Sequence, residues 1–209
     1  MHAIHWNNLQ RRESVDGLQY SQNFGSDQSI LMHSCACTGH RPYKFPWRYN
    51  DSDPRCLALK AALLEQIIAL VNNGVVNYFS GMAEGVDTWF ALSVLSLREK
   101  NPELKLHCVL PCVEQADKWS VSSQELYHSI LESANSVIYV SRNYHQNCML
   151  ERNTFLVEHA AFLLAIYNGE RRGGTAATIR YAQKRGREII RIDPATNLVS
   201  CMKSKPPLK

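Results

Sequence analysis

From residue 30 onward, short apolar runs alternate with longer segments whose apolar residues recur every three or four positions. Residues 1–30 are polar and carry no sustained period. The short runs are HSCACT (33–38), VVNYFS (75–80), LHCVLP (106–111), SVIYVS (136–141), AFLLAIY (161–167) and EIIRID (188–193), all of strand length. The intervening segments 55–73, 84–100, 121–134, 148–160 and 174–186 read as helices. In RCLALKAALLEQIIALVNNG, Leu59, Leu63, Ile67 and Leu70 share one helical face, and Gly74 is placed to end the helix. SQELYHSILESAN opens with Ser122 or Ser123 as a cap, and Glu125 falls in the first turn, where a carboxylate suits the helix dipole.

Strands that are nearly apolar throughout must be covered on both faces, and strands alternating with helices pair in parallel. Right-handed crossovers then predict a single α/β domain, a Rossmann-like doubly wound parallel sheet with helices on both faces. Its expected span is 31–196, after a loosely ordered polar extension (1–30) and before a basic tail (197–209).

Composition narrows the class. The chain has 209 residues, 45% hydrophobic and 20% charged, which suits one well-buried core. Its net charge is +4, and Lys203, Lys205 and Lys209 in the tail set the sign, so nucleic-acid contact is permitted without being indicated. No apolar run reaches membrane-spanning length, and the start MHAIHWNNLQRRE lacks the apolar core of a secretory signal. The seven cysteines are odd in number and form no C-x-x-C pair. A reduced, cytoplasmic protein without a metal site is the expectation, with Cys35 and Cys37 acting as small hydrophobes on one strand face.

Ligands of doubly wound sheets sit beyond the carboxyl ends of the strands. Four such ends are unusual here. In CACTGHRPYKFP, Thr38, Gly39, His40 and Arg41 follow the first strand; glycine admits close backbone approach, and arginine offers a fork for phosphate or carboxylate. In FSGMAEGVDTWFAL, Gly81 and Gly85 bracket a tight turn with a helix starting near Glu84, and Asp87 either caps that helix or reaches a ribose hydroxyl. In LPCVEQADKW, Trp119 either stacks on a base or covers core. In AIYNGERRGGTAATIRYA, Arg171 and Arg172 precede Gly173 and Gly174 at a helix start, with Thr175 as a cap or the first helical residue. That is a second anion-favouring helix end at the same sheet edge. On the helix CMLERNTFLVEHAA, the stripe Met149, Leu150, Asn153, Leu156, Val157 places Asn153 inward, with Arg152 on its flank. A buried amide must be paired, by neighbouring backbone or by a ligand.

Together, TGHRP, SGMAEGVD, LPCVEQADKW, ERN and GGTAATIRYA, in that order over roughly residues 34–193, resemble the SLOG superfamily. This Rossmann-like group includes the DprA DNA-processing proteins and the LOG cytokinin-activating hydrolases, and the match is nearest its YpsA-like branch. The resemblance implies a site for a nucleotide or nucleotide sugar. Thr38, Gly39 and Arg41 would line one side, and Gly81, Glu84, Gly85 and Asp87 the glycine-turn wall. Gly173, Gly174 and Thr175 would cradle a phosphate, with Arg152 and Asn153 beside them.

LOG hydrolases carry a catalytic Glu three residues after the threonine of their glycine-rich turn, and here that position is Thr178. The leading expectation is therefore a binding or sensor protein for a nucleotide-derived small molecule, without metal, flavin or nicotinamide. The alternatives are a nucleoside-phosphate N-glycosidase using Glu84 or Asp87, and DprA-like binding of single-stranded DNA through Arg180, Lys184, Arg185, Arg187 and Arg191. The superfamily also implies a possible homo-oligomer.

Overall fold

The computed structural model describes residues 19–20 and 28–202. The bulk of the polar extension and the last seven residues of the basic tail lie outside the described residues. Eight strands form one sheet. They are β1 (Gln19–Tyr20), β2 (Ser34–Gly39), β3 (Asn77–Ser80), β4 (Lys105–Leu110), β5 (Ser136–Tyr139), β6 (Phe162–Ile166), β7 (Glu188–Ile192) and β8 (Val199–Met202). The helices are α1 (Gln28–Met32), α2 (Pro54–Asn72), α3 (Val86–Arg98), α4 (Val121–Ser133), α5 (Cys148–Glu158) and α6 (Gly174–Lys184).

The strand order is β1-β5-β4-β3-β2-β6-β7-β8. Every pairing is parallel except β7 with β8. The chain winds outward from β2 to β5, then returns to place β6 against the other side of β2, so the topological switch point lies between β2 and β6. Both edge strands come from segments expected outside the sheet: β1 from the polar extension and β8 from the tail.

Strand side chains alternate between two cores. Cys35, Cys37, Leu164 and Ile166 join the apolar faces of α2, α3 and α4, including Leu59, Leu63, Phe90, Val94 and Ile130. Ala36, Leu163 and Ala165 join Leu156 and Val157 of α5 and Ile179 and Ala182 of α6. Three helices thus cover one face and two the other, the doubly wound arrangement the pattern predicts. The helix starts are local chemistry. The Asp53 side chain accepts from Arg55 N at the head of α2, and Ser120, ahead of the two serines expected, caps α4, which leaves Glu125 beyond the first turn. Gly74, with φ 82°, stands just past the end of α2 and turns the chain into β3.

Candidate ligand site at the switch point

Gly39 ends β2, and a Cβ there would fall 2.5 Å from the side chain of Val86, so only glycine lets this strand end meet the first turn of α3. Across the switch point the Thr175 hydroxyl donates to Gly39 O at 3.0 Å, which fixes the start of α6 against the end of β2. Gly173, at φ 103°, is the N-cap of α6, and Gly174 is its first residue. Both are exposed. The leading N–H groups of α6 have no intrahelical acceptor and face solvent with the positive end of the helix dipole.

Side chains add to this end. Lys44 Nζ lies 3.8 Å from where a Cβ on Gly173 would stand, and Asn153 Nδ2 lies 4.0 Å from the same point on Gly174. Lys44 also pairs with Glu170 at 2.9 Å. The Asn168 amide and Lys44 hold the Glu170 carboxyl below its usual range. Arg171 and Arg172 are exposed just before the turn.

The turn after β3 is built around a buried ion pair. Arg152 Nη1 lies 3.4 Å from Asp87 Oδ2 and also donates to Gly81 O. Asp87 accepts from Ala83 N at 3.2 Å, which closes the turn. Burial pushes the Asp87 carboxyl up, while Arg152 and then Arg41 draw it down; the net direction is upward. The same burial pulls the Arg152 guanidinium below its ordinary value, against the pull of Asp87. Gln115 Nε2 donates to Gly81 O (3.2 Å) and Met82 O (2.6 Å), holding Met82 at a left-handed φ of 55°. Gln115 Oε1, Tyr127 Oη and Arg152 Nε are buried and find no hydrogen-bond partner among the described residues.

Next to this turn opens a cavity of about 630 Å³, with Trp89, Trp119 and Tyr49 as its aromatic lining. Glu84, Lys118, Ser120 and Ser122 supply polar groups. Trp119 packs edge-on against Tyr127 with centroids 5.3 Å apart, and the Arg41 guanidinium stands 6.0 Å from its ring centroid. Pro42 lines this cavity and also touches the space over Gly85, so the short segment His40–Pro42 runs from the switch point to the cavity.

Comparison with known proteins identifies the family. The YpsA model, described as the YspA SLOG family, matches residues 35–196. The chain belongs to that family. Its relatives include a UPF0398 protein of Bacillus pumilus, 30% identical over 154 residues (73% of this chain and 82% of that one). A UPF0398 protein of Halalkalibacterium halodurans is 32% identical over 129 residues, 61% of this chain and 68% of that one. Among solved structures, DNA processing protein A of Streptococcus pneumoniae matches at TM-score 0.53 and 16% identity, over 79% of this chain and 51% of that one. This SLOG chain therefore spans about half of the pneumococcal protein's length. DNA processing protein A of Helicobacter pylori, described by its single-stranded DNA binding mode, matches at TM-score 0.54 and 18% identity, over 82% and 69%. At such identities the two likenesses establish the fold.

Within the SLOG frame, the sequence-selected residues divide into three groups. Gly39, Gly173, Gly174, Thr175 and Asn153 meet at the switch point, and Thr38, the residue before Gly39 in β2, is buried. Glu84 and Gly85 line the aromatic cavity with Trp119, and Arg41 stands over that ring. Gly81, Asp87 and Arg152 form the interior support instead of a free wall. A Cβ on Gly81 would coincide with the Arg152 guanidinium, so this glycine makes room for arginine, not for a ligand.

Three local readings are corrected. The α3 helix starts at Val86 behind Gly85 (φ 90°), two residues after Glu84. On α5 the buried polar residue is Arg152, not Asn153, because the inward stripe runs Cys148, Arg152, Phe155, Leu156; Leu150 is exposed. Thr175 is the second residue of α6, neither its cap nor its first residue. Trp89, Tyr49 and Lys44 were missed. Trp89 reads as one more apolar position of a helix, and only its place after the SGMAEGVD turn marks it.

Proposed function

We propose that the chain is a cytoplasmic binding or sensor protein for a nucleotide-derived ligand. Its phosphate sits on the N–H groups of Gly174 and Thr175, and its base lies against Trp119. The observation that carries this reading is the Thr175–Gly39 hydrogen bond: it sets an exposed helix N-terminus at the switch point, one short segment away from an aromatic cavity. Arg41, between the two, is available to the diphosphate or ribose of a longer ligand such as ADP-ribose or a nucleotide sugar.

Chemistry at the site favours binding over hydrolysis. Thr178, which stands where LOG hydrolases carry glutamate, is buried and donates to Gly174 O at 2.9 Å. Asp87 is engaged by Arg152. Of the two carboxylates that line the cavity, Asp51 pairs with Lys60 at 3.0 Å, so glycosidase activity would fall first to Glu84.

Single-stranded DNA is the second reading, supported by what the Helicobacter pylori neighbour is described as binding. The C-terminal arginines speak against it. Arg185 and Arg187 bond Glu158, Arg191 bonds Asp193, and Arg180 donates to Arg171 O.

A thermal-shift panel of nucleotides, nucleotide sugars and ADP-ribose, with base release assayed for each hit, tests the proposal. A ligand at a hundred times its Kd stabilises by about 2.7 kcal/mol. A shift without released base is expected. Released base that depends on Glu84 would move the chain to the glycosidases, and salt-sensitive oligonucleotide binding without a nucleotide shift would move it to DNA.

A further inference from the structure

A second cavity, of about 580 Å³, flanks the same segment but faces the head of α2 and the turn after β7. Its apolar surface comes from Phe45, Trp47, Pro54 and Pro194. Phe45 and Trp47 stack nearly plane on plane, 5.0 Å apart at 3°, and this pair makes one wall rigid. Lys44 and Arg55 bring positive charge, and among the described residues no carboxylate lines the cavity. Their partners Glu170 and Asp53 stand outside the lining, the Lys44 and Arg55 side chains stay 34% and 60% exposed, and the Arg55 guanidinium also stands 5.6 Å from the Trp47 ring centroid.

Two further atoms point to an occupant. Trp47 is 6% exposed and its Nε1 has no hydrogen-bond partner among the described residues; Asn197 lines the same cavity, and its Oδ1 is likewise buried and unpartnered among them. One is a donor and the other an acceptor, and native proteins rarely leave such groups unmade. A hydroxyl can accept from an indole N–H or donate to an amide oxygen, so it suits either atom. Neither atom is reached by solvent in this state, so occupation includes a small turn of the indole or the amide toward the ligand.

We propose that this cavity binds a hydroxylated aromatic carboxylate. Its ring lies against the prolines and the edge of Trp47, its carboxylate is drawn by Lys44 and Arg55, and its hydroxyl pairs with Trp47 Nε1 or Asn197 Oδ1. The site shares Lys44 with the phosphate end of α6 but is read apart from it, because Trp47 and Arg55 line this cavity and Trp119 the other.

The test follows the tryptophan indole N–H resonances of the full chain, with Trp47 assigned through Trp47→Phe. The probes are 3- and 4-hydroxybenzoate, with 4-hydroxybenzylamine as the oppositely charged control. The expected result is a saturable shift of the Trp47 resonance with a hydroxybenzoate and an unmoved Trp119. The amine produces no such shift. Arg55→Gln keeps the backbone N–H that Asp53 caps and weakens binding about tenfold, the scale of one hydrogen bond to a charged group. Any of three results overturns the proposal: no saturable Trp47 shift up to about 10 mM probe, an equal response to the amine, or an affinity unchanged by Arg55→Gln.

Discussion

Arg152 and Asp87 face each other at 3.4 Å with 7% of each side chain exposed, and the arginine occupies the space that a side chain on Gly81 would need. An ion pair so placed ties α5 to the turn that starts α3. Its Coulomb energy is set against two desolvation costs, so the pair specifies the turn more than it stabilises the fold.

Removing one partner is then worse than removing both. Arg152→Ala leaves Asp87 buried and uncompensated and should destabilise by about 3–5 kcal/mol. Arg152→Met with Asp87→Asn should recover a large part of that loss. Denaturant midpoints of the two variants decide it, and equal losses would refute the pairing.

Gly81→Ala should cost about 1–3 kcal/mol, because the added methyl displaces the guanidinium. In the Arg152→Met background the same change should cost less, giving a non-additive double-mutant cycle. Additivity would mean the glycine serves the backbone alone.

The pH dependence has a buried histidine at its centre. His107 faces Ser136 Oγ at 2.7 Å and Asn77 Oδ1 at 3.2 Å, and burial lowers its pKa to about 4. The unfolded chain protonates near 6.5 and so binds more protons between pH 6.5 and 4. Stability therefore falls as pH drops through this window, by on the order of 3 kcal/mol from this residue. Asp87 acts with opposite sign, since its raised carboxyl pKa favours the folded state at lower pH. His107→Gln should flatten the acid limb of a stability–pH curve, and an unchanged slope would remove His107 as its cause.

At the cavity, Trp119→Ala should weaken nucleotide binding by about 1–3 kcal/mol, the range of base–aromatic stacking, and Trp119→Phe should retain most of it. Because Trp119 also packs on Tyr127, melting curves of both variants are needed alongside titrations.

Much of this architecture was legible in the chain. The strand runs and the helices between them follow from apolar period, and the glycines at Gly39, Gly85 and Gly173 mark turns that other residues cannot make. Asn153 and Arg152 show the limit. Adjacent helical positions differ by about 100°, so a stripe read from Met149 and Leu150 rather than Cys148 rotated the buried face by one residue. Gly81 shows another, since nothing local says whether the space over a glycine is kept for a ligand or for a side chain 71 residues away. The edge strands β1 and β8 escaped because edges bury little apolar surface and carry a weak periodic signal.

The most direct test of the central claim is a calorimetric titration of ADP-ribose, and of any stronger ligand from the panel, into the wild type and Gly174→Asp. Gly174 is exposed, and its Cβ position meets nothing closer than Asn153 at 4.0 Å, so the variant should fold while setting a carboxylate on the anion site. Saturable binding to the wild type that disappears in Gly174→Asp, with an unchanged melting temperature for the free proteins, is the predicted result. Equal affinity in both proteins would contradict it and place the phosphate elsewhere.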